Sequence, residues 1–172
     1  VINPSTDEQI RTVAIGNESD VDVAVEAASA AFDQFSQTTK MDRLDLLKSV
    51  MVITERRLED LAQAMRMEMG APITMARSSQ ADAAIGHLQG FIDALEEHNE
   101  RTKLANGDIM VHEPVGVCGL ITPWNWPINQ ITLKVLPALA TGCTCILKPS
   151  EHTPVSAMIY AEILNESWNP KG

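Results

Sequence analysis

Val115-Gly116-Val117-Cys118-Gly119-Leu120-Ile121 lies in a stretch, Pro114 to Leu147, whose only charged residue is Lys134. This run is short and apolar, and Thr144-Cys145-Ile146-Leu147 repeats that character at the far end of the stretch. Between the two runs, Pro127 to about Thr141 reads as a helix. Pro137 must bend or break it, because proline lacks an N–H and its ring crowds the preceding turn. A buried strand, a helical crossover and a second buried strand make a βαβ unit with parallel pairing. The sequence therefore predicts an α/β fold.

Parallel strands bring their carboxyl ends to one sheet edge, where such folds bind ligands. The first strand runs into Thr122-Pro123-Trp124-Asn125-Trp126-Pro127, and the second into Lys148-Pro149-Ser150-Glu151. The geometry predicts that these clusters face each other across one crevice. Asn125 offers a carboxamide donor suited to an oxyanion, or caps the helix that follows. Lys148 and Glu151 can share the vicinal hydroxyls of a ribose, or form a surface ion pair. Lys134 must reach water along its apolar stem or serve a site, because an unpaired buried ammonium is costly.

Upstream, the chain reads as helices. Ser19 with Asp22 has capping-box spacing, and Val21, Val25, Ala28, Phe32 and Phe35 form one stripe predicted to be buried. Thr39 with Asp42 repeats the cap. Leu47, Met51, Thr54, Leu58, Leu61 and Met65 then mark one long amphipathic helix, stopped by Gly70 and Pro72. The methionines read as core packing. A third helix is predicted from Ile73 to about Glu97, with Ala84, Leu88, Phe91, Ile92 and Leu95 inward. Gln9 to Ile15 suits a short edge strand or hairpin arm. Ile109 to His112 reads as a strand after the Asn106-Gly107-Asp108 turn, and Pro114 confines it to an edge. His152 to Trp168 supplies the last helix, with Val155, Ile159, Ile163 and Leu164 inward.

The 172 residues carry 13 basic and 23 acidic side chains, a net charge of −10. Such a surface disfavours nucleic acid and anionic lipid. No uninterrupted apolar run is long enough to span a membrane. Val1-Ile2-Asn3-Pro4-Ser5 does not resemble a signal peptide, and the missing initial Met points to a processed or excised segment. Three cysteines, Cys118, Cys143 and Cys145, are expected to be reduced thiols in a cytoplasmic protein. They match no zinc motif, and Cys118 reads as a structural thiol rather than a nucleophile. His87 and His98 are expected to be solvated. No Gly-rich phosphate loop is present.

The run from Glu113 to Pro127 resembles the aldehyde dehydrogenase superfamily. So do Leu136-Pro137-Ala138-Leu139-Ala140-Thr141-Gly142-Cys143 and Leu147-Lys148-Pro149-Ser150-Glu151-His152-Thr153-Pro154. Asn3-Pro4-Ser5-Thr6 and Glu68-Met69-Gly70-Ala71-Pro72 are similar to the family's N-terminal region. The resemblance implies NAD(P)-dependent oxidation of an aldehyde to an acid through a Cys thiohemiacetal. It assigns Asn125 to the oxyanion hole and places Lys134 near the site. Lys148 and Glu151 would bind the adenosine ribose, Ser150 would belong to the same cofactor-binding set, and Ile121, Thr122, Pro123 and Trp124 would line the cofactor cleft. Glu151 should repel a 2′-phosphate, which favours NAD and leaves NADP open. No metal is implied.

The family's Gly-Gln-x-Cys nucleophile, Glu-Leu-Gly-Gly base and pyrophosphate-binding Gly-Ser loop are absent. The expectation is an N-terminal fragment of an aldehyde dehydrogenase, inactive and poorly stable alone. Its fold would be an incomplete Rossmann-like parallel sheet with N-terminal helices and a β arm for oligomerisation. Residues 1–98 would be the helical part, 99–114 the arm that pairs subunits into homodimers or homotetramers, and 115–172 the start of the sheet. The next strand is expected near Gly172. The other reading is a truncated, non-catalytic binding or assembly module of the same fold.

Overall fold

A computed structural model describes residues 1–168; the strand expected near Gly172 lies outside them. The elements run α1 (Glu18–Phe35), α2 (Lys40–Arg56), α3 (Leu58–Met69), α4 (Ile73–Met75), a π-helical turn (Ala76–Ala81) and α5 (Asp82–Glu97). Then come β1 (Arg101–Lys103), β2 (Ile109–Val111), β3 (Val117–Ile121), α6 (Pro127–Ala140), β4 (Thr144–Lys148) and α7 (Pro154–Trp168). The fold is α/β, and the predicted βαβ unit is present, but its strands are not the buried ones expected: β3 alternates exposed and half-buried residues, and in β4 only Thr144 is buried. β3 and β4 pair in parallel, from Val117 opposite Thr144 to Ile121 opposite Lys148. Pro137 lies inside α6 and does not end it.

The core lies between α2, α3, α5, α6 and α7. Leu47, Leu61, Met65, Leu88, Ile128, Leu136, Tyr160 and Ile163 are fully buried there. Met51 and Met69 pack against this cluster, so the methionine stripe is core. Leu120, Cys145 and Leu147 turn one face of the sheet toward the same core. On the other face, the Thr144 hydroxyl donates to the Ala28 carbonyl of α1 at 2.8 Å.

Several expectations need correction. α1 starts earlier than predicted. Asn17 is its cap, its carboxamide oxygen taking the N–H and the hydroxyl of Ser19 at 2.8 and 2.7 Å, and Asp20 completes the box by accepting the Asn17 N–H at 2.8 Å. The predicted α1 stripe is buried only at Phe35, with Val21 58% and Val25 42% exposed. Ala28, where α1 bonds to Thr144, and Phe32 are half-buried. The single long helix is two. Arg57 leaves helical geometry at φ −101° and ψ 8°, and its guanidinium pairs with Asp60 and with Glu162 of α7.

The third helix carries the π-turn within its predicted span. Gln9 to Ile15 forms no continuous strand, but its start folds back as a hairpin arm: Gln9 bridges Ile2 antiparallel, the Ile10 N–H donates to the Val1 carbonyl at 3.1 Å and the Asn3 N–H to the Glu8 carbonyl at 2.8 Å. β1 was not predicted, but it pairs antiparallel with the expected β2 around the Asn106–Asp108 turn.

Two contacts lock distant segments together. Gly70 ends α3 at φ 74°, and a Cβ there would lie 3.0 Å from Pro4 Cγ and from Ser5 Oγ. Only glycine combines that left-handed backbone with so close an approach. Buried Arg43 donates from Nε to the Ala140 carbonyl (3.0 Å) and from Nη1 to the Thr38 carbonyl (2.6 Å), and it pairs with Glu100 at the root of the arm. A cation thus completes the C-terminus of α6, where the helix dipole is negative.

Candidate active-site edge

β3 and β4 end side by side, and the pairing continues into their loops. The Thr122 N–H donates to the Lys148 carbonyl at 3.2 Å. Beyond it, the Trp124 and His152 rings meet edge to face, with centroids 5.7 Å apart. The loop after β3 and the loop after β4 therefore form one continuous edge, as the strand order predicts.

On this edge Ile121 and Trp124 are exposed apolar groups, at 73% and 55%. Lys148 Nζ lies 3.5 Å from Glu151 Oε2, and both side chains are open to solvent. The Glu151 N–H, followed by the charge of Lys148, holds the Glu151 carboxyl below its ordinary pKa. Thr122 and Ser150 are buried. The Ser150 hydroxyl accepts the His152 N–H at 3.2 Å, and the Ser150 carbonyl accepts the Thr153 N–H at 3.2 Å. Ser150 thus shapes the loop from within, and exposed Pro123 spaces Thr122 from Trp124.

Asn125 is exposed and does not cap α6. The capping position belongs to Trp126, and no side chain accepts an N–H there. The Asn125 carboxamide makes no hydrogen bond among the described residues. Lys134 is half-buried further along α6 and forms no ion pair among the described residues.

The sequence reading missed the group that fixes this edge from behind. Glu68 of α3 is 3% exposed. Its Oε2 accepts the Val155 N–H at 2.7 Å, and its Oε1 accepts the Ser156 N–H at 3.0 Å and the Ser156 hydroxyl. Burial raises the Glu68 pKa, against the pull of these donors. A side-chain carboxylate so occupies the N-terminus of α7 that a ligand phosphate would otherwise suit. The sequence signal was Glu68 itself, an acidic residue at the last position but one of a core-facing helix, in the Glu68–Pro72 run.

The cysteines lie off this edge. Cys118 and Cys145 are opposite one another within the strand pair, and burial pushes the Cys145 thiol up to about 11. Cys118 is also raised, first by burial. Burial works against the Cys143 thiolate, but the Thr141 hydroxyl and the Val115 and Gly116 N–H groups hold that thiol below its ordinary value. His87 is a correction: it is half-buried, with Nδ1 2.8 Å from Thr132 Oγ1. His98 is exposed, as expected, and stacks edge to face on His112.

A cleft of about 750 Å³ is lined by Phe32, Arg43, Phe91, His98, Glu100 and His112 among others, and by no residue of either active-edge loop. Among the described residues, no group of three or more His, Cys, Asp or Glu side chains is placed to hold a metal ion. No described helix is long and apolar enough to cross a membrane.

Comparison with known proteins gives one consistent result. A family model described as "Aldehyde dehydrogenase family" matches residues 1–172. A 3-succinoylsemialdehyde-pyridine dehydrogenase from Pseudomonas sp is 47% identical over 173 residues, spanning 100% of this chain and 36% of that protein. A solved aldehyde dehydrogenase from Bartonella henselae superposes with a TM-score of 0.95 at 45% identity, over 98% of this chain and 36% of its own. A mutant aldehyde dehydrogenase C from Pseudomonas syringae, complexed with NAD+ and octanal, gives a TM-score of 0.94 at 44% identity, over 97% and 34%. The chain spans about a third of the length of the relatives it matches.

Proposed function

The chain belongs to the aldehyde dehydrogenase family, and from that premise we propose that it supplies the N-terminal part of an NAD-dependent enzyme that oxidises an aldehyde to a carboxylic acid. The observation that carries this reading is the shared edge, where Asn125 and the Lys148–Glu151 pair stand on adjoining loops joined by Trp124 and His152. NAD, when bound, supplies the hydride acceptor.

The residues fit a dinucleotide. Lys148 and Glu151 are both open to solvent and 3.5 Å apart. An ammonium donor beside a carboxylate acceptor matches the two hydroxyls of a ribose. The exposed apolar surfaces of Ile121 and Trp124 suit an adenosine, with Thr122 and Pro123 shaping the wall between them. Ser150 keeps Glu151 in place through its bonds to His152 and Thr153. Glu151 repels a 2′-phosphate, so NAD is the proposed cofactor over NADP.

Asn125 donates its carboxamide N–H to the oxygen of the aldehyde as negative charge builds there under attack by a thiolate from outside residues 1–172. Lys134, on the helix that follows the Asn125 loop, adds positive potential near that oxygen. Residues 99–114 act as an arm that pairs subunits. The exposed apolar side chains of β2, Ile109, Met110 and Val111, support that reading. A cytoplasmic location goes with it.

The test is NADH formation from aldehydes by the protein carrying residues 1–172. Asn125→Ala should lower kcat about 10²- to 10³-fold with NAD affinity kept. An unchanged kcat would remove Asn125 from the oxyanion hole, and no NADH from any aldehyde would remove the activity.

A further inference from the structure

Beyond the loops themselves, the structure holds a buried carboxylate that the proposed chemistry does not use. Glu68 ends its side chain in the first turn of α7, where it takes two backbone N–H groups and one hydroxyl. All three partners are donors, so the site calls for an acceptor-only group, the ionised carboxylate. The first turn of a helix has N–H groups without helical partners, and here they are buried with no water-facing alternative. Val155 and Ser156 are 8% and 0% exposed.

The turn that Glu68 grips opens at Pro154, three residues after Glu151. The Thr153 N–H returns to the Ser150 carbonyl at 3.2 Å, and the His152 N–H to the Ser150 hydroxyl at 3.2 Å. These bonds tie the orientation of residues 150–153 to the start of α7. Glu151 and His152 project from that segment, and His152 meets Trp124 one residue before Asn125. An unbroken chain of contacts leads from Glu68 through α7 to both loops.

We infer that Glu68 is a positioning residue for cofactor binding: by clamping the first turn of α7, it sets the place of Glu151 against Lys148 and of His152 against Trp124. The inference rests on the reading of Lys148 and Glu151 as ribose ligands. Glu68 touches neither cofactor nor substrate. Its loss therefore acts on NAD affinity and, through His152 and Trp124, more weakly on the Asn125 step.

Glu68→Gln is the sharpest variant. It keeps the shape but aims an NH₂ at a backbone N–H or at the Ser156 hydroxyl. Ser156→Ala is the milder one, removing a single donor and leaving both backbone bonds. The experiment measures the NAD dissociation constant and the separate KM values for NAD and aldehyde in the protein carrying this chain, well below its unfolding temperature. Glu151→Gln is measured alongside.

Glu68→Gln should weaken NAD binding about tenfold and raise KM for NAD far more than KM for aldehyde. Ser156→Ala should do the same to a smaller degree. In a background of Glu151→Gln the effect of Glu68→Gln should shrink, because the ligand it positions is already altered. A merely structural role would lower thermal stability and leave the KM ratio untouched, which overturns the inference. If Glu68→Gln fails to fold, an unchanged NAD affinity in Ser156→Ala overturns it equally. If Glu151→Gln itself leaves NAD affinity unchanged, the ribose reading fails, a result distinct from failure of the Glu68 clamp alone.

Discussion

The Trp124 indole and the His152 imidazole meet edge to face with centroids 5.7 Å apart, although 28 positions and an entire βαβ crossover separate them in sequence. This contact makes one surface of two loops. Edge-to-face aromatic pairs contribute about 0.5–1.5 kcal/mol beyond area burial. Trp124 is 55% exposed, so the low end applies. A double-mutant cycle of Trp124→Ala and His152→Ala, read by thermal unfolding, should give a coupling of roughly 0.5 kcal/mol. Strict additivity would mean that the rings are neighbours without interaction.

Arg43 joins three segments: the turn before α2, the end of α6 and the root of the arm. Arg43→Ala leaves the Ala140 carbonyl without its partner in a buried setting, at a cost of about 1–3 kcal/mol. Arg43→Lys keeps the charge but cannot reproduce the fan of guanidinium bonds, so it should recover only part of the loss. Equal stability of the lysine variant and the native protein, measured by thermal unfolding, would contradict the geometry.

His87 pins α5 to α6. The Thr132 hydroxyl donates to the Ile128 carbonyl at 2.8 Å, so His87 Nδ1 supplies the proton in its own bond to Thr132. Partial burial holds the His87 pKa below its ordinary 6.5. The unfolded chain then binds more protons than the folded one in the window just below pH 6.5. Stability tied to this group is present above that pH and lost as pH falls toward the folded value. Thermal unfolding between pH 7.5 and 5 should show the native protein losing stability relative to His87→Gln. Parallel curves would remove His87 as the cause.

No thiol among the described residues stands on the active edge, and burial raises both Cys118 and Cys145. Purified 172-residue chain should therefore form no NADH from aldehyde and NAD, and Cys118→Ala should change nothing. Activity abolished by that substitution would show that Cys118 is the nucleophile and would overturn the assignment of the thiolate to another part of the protein.

The βαβ unit was legible because its two strands are uninterrupted apolar runs and the helix between them opens at Pro127. The shared edge followed from parallel pairing alone. Other features were not legible because they depend on partners far along the chain. Glu68 meets residues 87 and 88 positions away, and Arg43 meets Ala140 across 97. No local spacing encodes such meetings. The α1 stripe was misread for a related reason: periodicity gives the apolar face of a helix, while burial depends on what covers it. The break at Arg57 is not legible because the apolar spacing carries on through it, and what marks the site is the pairing of Arg57 with Asp60 and with distant Glu162.

The decisive measurement is a crystal structure of the protein carrying this chain with NAD bound. The adenosine ribose hydroxyls should hydrogen-bond to Lys148 Nζ and to the Glu151 carboxylate, with the adenosine beside Ile121 and the dinucleotide running along the loop that holds Trp124 and Asn125. A dinucleotide seated instead in the cleft of Arg43, His98 and His112, or anywhere leaving Lys148 and Glu151 in solvent, would contradict the proposed function.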